Sequence, residues 1–257
     1  MPHILITNDD GVESPGLLAL AQALRGLGDV TVFAPNRNWS AAGHSKTMHK
    51  PLRVWSVRLA DGSDALTSDG APSDCVALAH LGLVQRAVDL VVSGINNGPN
   101  LGFDVTYSGT VAAAMEAAIN GWPGIAISLD HYEGERHWAT AAQAAASVAR
   151  LALAHGLPTH TLLNVNAPNL PPAEVRGLRV TRLGRRVYRD VLIHRNDPRG
   201  VPYYWIGGDP PTGIDEAGVD VEAVNQGYIS VTPLHMDMTQ HRLLDRVRDW
   251  FAAATPA

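Results

Sequence analysis

The chain has 257 residues, 46% of them hydrophobic and 18% charged, which is enough material for one large buried core. Twenty Lys and Arg against 25 Asp and Glu leave a formal charge of −5, which excludes the broad basic footprint that duplex nucleic acid requires. The single cysteine, Cys75, excludes an internal disulfide, and the most apolar helical stretch, Trp138 to Leu153, is broken by Gln143 and Arg150, too short and polar to span a bilayer.

The amino terminus, Met1-Pro2-His3, leads straight into a strand instead of a basic and then apolar signal, so the expectation is a cytoplasmic protein. Ile4-Leu5-Ile6 reads as a short strand buried on both faces, the kind found in a parallel sheet. It ends in Asn8-Asp9-Asp10-Gly11. Successive strand residues point to opposite faces, so Asp9 and Asp10 converge only if the chain turns, and Gly11 supplies that freedom. Two close carboxylates repel unless a cation lies between them or one keeps its proton. A hard metal ion and a solvated Asp-Asp-Gly turn both fit the motif at this point.

Ser14 followed by Pro15 predicts a helix start with Ser as cap, and Leu17, Leu20, Ala21 and Leu24 continue at helical spacing until Gly26 and Gly28. Val30 to Ala34 is the next strand, which completes a β-α-β unit. Helix over Cys75 to Leu83, strand over Asp89 to Ser93, helix over Thr110 to Asn120, strand over Ile125 to Leu129, helix over Trp138 to His155 and strand over Thr161 to Val165 follow. That alternation predicts a doubly wound, mostly parallel α/β core. Past Pro168 the pattern changes to Leu178 to Leu183, Arg186 to His194 and Val201 to Ile206, which predict antiparallel hairpins outside the parallel sheet. Gly207 to Gly218 reads as an exposed loop, Tyr228 to Thr232 as a strand, and Thr239 to Ala253 as a terminal helix. The expected division is a catalytic core over 1–175 and a hairpin extension with the C-terminal helix over 176–257, used in oligomerisation because a long hairpin cannot bury both faces alone.

Three loops follow predicted parallel strands on the same edge as Asp9 and Asp10. Pro35 to Ser45 is polar and contains Ser40 and His44; Ser93 to Gly102 is dense in Gly and Asn; Tyr107-Ser108-Gly109-Thr110 runs into a helix. Free N–H groups at that helix start, with the hydroxyls of Ser108 and Thr110, suit a phosphate, although an ordinary N-cap uses the same residues. Neither a G-x-x-x-x-G-K-[ST] nor a G-x-G-x-x-G motif occurs, which disfavours a nucleotide-driven motor or an NAD enzyme.

Taken in order, Ile6 to Gly11, Pro35 to Ser45, Ala71 to Val76, Ser93 to Gly102, Tyr107 to Glu116 and, more loosely, Gly227 to Leu234 resemble the survival-protein SurE family of metal-dependent nucleotidases. The resemblance implies a Rossmann-like core and a 5'/3'-nucleotidase that releases phosphate from nucleoside monophosphates, with short polyphosphate as a second substrate. It implies Asp9, Asp10, Ser40 and Asn96 as metal ligands, with Asp9 and Asp10 catalytic, and Asn97, Asn100, Ser108, Gly109 and Thr110 at the phosphate. Such oxygen donors select Mg²⁺, Mn²⁺ or Ca²⁺ over zinc, one ion per subunit. His44 is a candidate substrate contact. Asp9 either activates water or attacks phosphorus itself, and both routes stay open. The expected partners are a nucleotide and further copies of the chain, as a homodimer or homotetramer, without a membrane. A phosphatase for another small phosphomonoester and a nucleotide sensor that does not hydrolyse are the competing readings.

Overall fold

A computed structural model of the chain describes residues 1–254. The central sheet begins with β1 (His3–Thr7), β2 (Asp29–Pro35), β3 (Val54–Arg58), β4 (Asp64–Ser68) and β5 (Leu90–Asn97). It continues through β6 (Gly124–Asp130), β7 (Thr161–Pro168), β8 (Leu178–Val180) and β11 (Ile229–His235). Their spatial order is β3-β4-β2-β1-β5-β6-β7-β11-β8. The run from β4 to β7 is parallel; β3 pairs antiparallel with β4, and β11 antiparallel with β7.

Strand β1 shows why a continuous apolar run is needed. Ile4 and Ile6 enter one core layer with Leu17, Leu20 and Leu24 of α1 (Pro15–Leu24) and with Ala141, Ala145 and Val148 of α4 (Trp138–His155). Leu5, between them, enters the opposite layer with Phe33, Cys75 and Val76 of α2 (Pro72–Leu78) and Ala113 and Ala117 of α3 (Gly109–Ile119). Both strand faces are therefore covered, as the unbroken apolar run requires. The strand order reverses at β1, which pairs β2 on one side and β5 on the other. Open α/β sheets carry their ligand crevice at such a reversal, beyond the carboxyl ends of the strands.

Several local expectations change. Ser14 stands at the N-cap of α1, but its side chain makes no capping hydrogen bond; Pro15 and the apolar face define the helix without it. The helix predicted over Cys75 to Leu83 divides into α2 and a widened turn, Ala79–Leu83, where Gly82 takes positive φ. Leu178–Val180 is not part of a hairpin: it joins the main sheet, parallel to β11. The hairpin itself is β9 (Arg186–Asn196) with β10 (Pro202–Gly213), so much of the expected loop from Gly207 is strand. Pro210 and Pro211 are accommodated because the register shifts between Asp209 and Thr212, where no ladder donor is required.

Short α5 (Asp220–Asn225) follows the hairpin, and α6 (Leu244–Ala254) closes the described chain. The carboxylate of Asp220, fully buried, accepts the N–H groups of Gly102 at 2.8 Å and Gly184 at 2.7 Å. One side chain thus ties the loop after β5 to the start of the hairpin. Among the described residues no helix is long and apolar enough to cross a membrane.

Candidate functional site

The turn after β1 is built by its own side chains. Buried Asn8 accepts the Gly11 N–H at 3.2 Å and donates to the Gly11 carbonyl at 3.0 Å, and Gly11 has φ 103°. That closed loop turns Asp9 and Asp10 toward different neighbours. Asp9 is 3% exposed and faces α3, whose Thr110 hydroxyl donates to its Oδ1 at 2.5 Å. Asp10 faces the ends of β2 and β5: it accepts the Asn97 N–H at 3.2 Å and the Asn38 amide at 3.4 Å.

Gly109 is what lets the helix approach. A Cβ at this position would lie 2.8 Å from the Asp9 Cβ and 2.9 Å from Oδ2, so any side chain would push the helix start away from the carboxylate. Ser108 is the N-cap, its oxygen accepting the Val111 N–H at 3.1 Å. The cap holds the helix start against Asp9.

The loop carrying Ser40 is fastened at four points. The Trp39 N–H donates to the Asp9 carbonyl at 2.7 Å and the Gly43 N–H to the Tyr107 carbonyl at 2.9 Å. Glu116 on α3, 4% exposed, takes His44 at 2.9 Å and Lys46 at 3.1 Å, and buried Asp74 on α2 takes the Thr47 N–H and hydroxyl. His44 therefore engages Glu116, and Ser40 keeps a hydroxyl with no partner among the described residues. Its own N–H is held by Asn38 Oδ1 at 2.7 Å.

The loop after β5 supplies the rest. The peptide bond between Gly94 and Ile95 is cis, and the β5–β6 register shifts between Ser93 and Asn96. Asn96 donates its amide to the Gly98 carbonyl at 2.8 Å, which leaves its side-chain oxygen free as a donor to a cation. Asn100 is buried and fully braced: its N–H meets Asn166 Oδ1 at 2.8 Å, its amide donates to Ser128 at 2.7 Å, and its carbonyl accepts from Asn164 and Asn166. Asn97 presents its side-chain oxygen to Arg136 Nε at 2.9 Å. Asp10, Asn97 and Arg136 border a cleft of about 270 Å³ together with Ser14, Pro15 and Trp138.

Burial pushes the Asp9 carboxyl up from 3.8 to about 6, with Asp10 adding repulsion and the Thr110 hydrogen bond opposing both. Asp10 is also raised by burial, while the Asn97 N–H and the Arg136 charge pull it down. Glu116 moves the other way, down to about 2, chiefly through the His44 hydrogen bond, with Lys46 and Asn120 adding to it. Two neighbouring carboxyls that burial raises, with Arg136 as a partial counter-charge at Asp10, stand near a free amide oxygen and a free hydroxyl, a donor set that fits a hard divalent cation. Among the described residues no group of three or more His, Cys, Asp or Glu side chains gathers, so a softer His/Cys centre has no candidate.

The structure thus brings Asp9, Asp10, Asn96, Asn97 and the Ser108–Thr110 turn to one sheet edge, with the Ser40 loop fastened to it. Two neighbours were not singled out in the sequence. Asn38 lies two residues before Ser40 in a loop already marked as polar, and its contact with Asp10 had no separate signal. Arg136 stands 39 positions from Asn97, and no local pattern links them.

Residues 4–190 match the family model described as Survival protein SurE. The chain is 53% identical over 249 residues to a 5'-nucleotidase SurE from Chloroflexus aggregans, covering 96% of this chain and 98% of that protein. It is 48% identical to a 5'/3'-nucleotidase SurE from Escherichia fergusonii, covering 96% of each. The crystal structure of the SurE protein from Aquifex aeolicus superimposes with a TM-score of 0.82 at 42% identity, over 97% of this chain and 99% of that one. With the strand-reversal site and these full-length matches together, the chain belongs to the SurE family.

Proposed function

We propose that this protein is a divalent-metal-dependent nucleotidase that hydrolyses nucleoside monophosphates to nucleoside and phosphate, with short polyphosphate as a secondary substrate. The observation that supports this reading is the apposition of the buried Asp9 carboxylate to the start of α3 across Gly109, where a cation and a phosphate would lie side by side. Relatives named 5'-nucleotidase and 5'/3'-nucleotidase match over nearly the whole chain.

In this reading Asp9, Asp10, Ser40 and Asn96 hold one Mg²⁺, Mn²⁺ or Ca²⁺ ion, which when bound polarises a phosphoryl oxygen and lowers the pKa of water. Asn97 and the Ser108-Gly109-Thr110 turn hold the phosphoryl oxygens, and their donors meet the charge that grows in the transition state; Asn100, whose N–H and one amide hydrogen are already engaged, adds its remaining amide hydrogen. The Thr110 hydroxyl is engaged by Asp9, so its contribution is to the carboxylate as much as to the phosphate. Water oxygen bonds to phosphorus, the ester P–O bond breaks, and the leaving alkoxide takes the proton. Asp9, buried against the start of α3, is in this reading the carboxylate placed to orient that water or take its proton.

We further assign subunit contact, as a dimer or tetramer in the cytoplasm, to the hairpin and α6 of the 176–257 segment, with 1–175 carrying the catalytic residues. Exposed Val191, Leu192, Trp205, Ile206, Trp250 and Phe251 support that assignment. The test of function is phosphate release from 5'- and 3'-monophosphates with Mn²⁺, and its loss with EDTA. Release from sugar phosphates alone would favour a different phosphomonoesterase, and release from nothing would leave a nucleotide-binding module.

A further inference from the structure

We propose that Arg136 is a positioning residue that fixes the Asn97 side chain as a hydrogen-bond donor to the substrate phosphoryl group. A primary amide can present either its oxygen or its nitrogen to a site, and the two are opposite in what an anion feels. Arg has donors only, so Asn97 must turn its oxygen to the Arg136 Nε at 2.9 Å. Its nitrogen is then directed away from the guanidinium, and it has no partner among the described residues. The main chain of Asn97 is held at the same time, because its N–H donates to Asp10 Oδ2 at 3.2 Å. With backbone and amide oxygen both fixed, the remaining donor is pre-oriented before substrate arrives, which spares an ordering cost on binding.

Arg136 itself is exposed on the loop between β6 and α4, at the mouth of the cleft shared with Asp10, Ser14, Pro15 and Trp138. It belongs to none of the elements that form the core, so its replacement leaves the fold intact. Its guanidinium is engaged through Nε, its Nη groups make no hydrogen bond among the described residues, and its charge also acts on Asp10.

The inference rests on the reading of Asn97 as a phosphate contact, and a double-mutant cycle separates the two. Wild type, Arg136→Ala, Asn97→Ala and the double variant are compared for kcat and KM on adenosine 5'-monophosphate with Mn²⁺, and for inhibition by inorganic phosphate. The expectation is that R136A raises KM and the phosphate inhibition constant by roughly tenfold, the scale of one hydrogen bond to a charged group, with kcat changed less. In the N97A background the Arg136 substitution then adds much less than in the wild type, the small remainder being its charge on Asp10, because its main effect passes through Asn97. Arg136→Lys, which keeps a donor for the Asn97 oxygen, recovers part of the loss. Effects of R136A and N97A that simply multiply would overturn the positioning role and leave Arg136 as an independent attractive charge. An N97A enzyme with unchanged KM would sink the reading of Asn97 itself, and an N97A defect with a silent R136A would sink the Arg136 role alone.

Discussion

At the carboxyl end of the sheet, Asn8, Asp9, Asn100 and Thr110 are polar and buried; along the β9–β10 hairpin, Val191, Leu192, Trp205 and Ile206 are apolar and exposed. Each region departs from the usual partition of side chains, in opposite directions. The first withstands its polar interior through partners: Asn8 closes its own turn, Asn100 is braced by three neighbours, and Thr110 donates to Asp9. Buried Ser93 and Asn164 each keep a side-chain oxygen without a partner among the described residues, and the Asp9 and Asp10 carboxylates are the charged groups there that the proposed cation would compensate. The second has no such internal answer, since a two-stranded ribbon cannot cover its own faces. In the proposed reading a small ion completes the first region and a large surface the second.

The sharpest way to break this contrast is at Asp9. Asp9→Asn removes a charge and keeps the shape, and we expect kcat/KM to fall by roughly 10³-fold, the scale of one preorganised electrostatic group. The metal-free variant should remain folded by circular dichroism. Full activity in Asp9→Asn would overturn the site. Gly109→Ala tests geometry instead of charge. The new methyl group meets Asp9 at 2.8 Å, and a displacement approaching 1 Å costs about 10²-fold in rate. Steady-state kinetics reads it, and an unchanged rate would show that the close approach is dispensable.

A smaller effect concerns pH. The Asp9 carboxyl is raised from 3.8 to about 6, so the folded state binds its proton more tightly than the unfolded chain. The sign follows: metal-free protein loses stability as pH rises from about 4 to about 6, by on the order of 2–3 kcal/mol. Urea unfolding in EDTA measures it. The slope should flatten in Asp9→Asn, and Mn²⁺ should reverse it near pH 7. A pH-independent Asp9 contribution would remove the argument for an uncompensated carboxyl.

The smallest expected change lies on the hairpin. Ile206→Ser, at an 82% exposed position, should alter the unfolding free energy of the isolated subunit by no more than about 0.5 kcal/mol. Its effect should instead appear in sedimentation, as weaker self-association. A variant that destabilises the subunit but sediments like the wild type would place the hairpin's apolar face against its own chain.

What could be read from the sequence follows how far each signal travels along the chain. Ile4 to Ile6, the Leu17 to Leu24 periodicity and the Ser108-Gly109-Thr110 helix start are local patterns, and the structure contains them within a residue or two. Strand β3 escapes a sequence reading because Trp55 and Ser56 are both exposed, which breaks the alternation that marks a half-buried strand, and β4 because Asp64–Ser68 holds only Ala65 and Leu66 as apolar residues. Leu178–Val180 was assigned to the wrong neighbour because its partner, Ile229–Val231, lies 51 residues further on. The same limit applies at the site. Asp9, Asp10 and Asn96 stand in conspicuous strand-end motifs, whereas Arg136 sits in a polar loop whose value depends on a fold that brings it to Asn97.

Asp220 has a practical consequence for anyone who cuts this chain. The composition changes near residue 175, which invites preparation of the first segment by itself. Removing the remainder would take away the carboxylate that satisfies the Gly102 N–H, together with the two edge strands that shield β7. The shortened protein would present an open sheet margin and an unsupported substrate loop at once. Its inactivity would then say nothing about where the catalytic residues reside, and point substitutions within the intact chain are the sounder dissection.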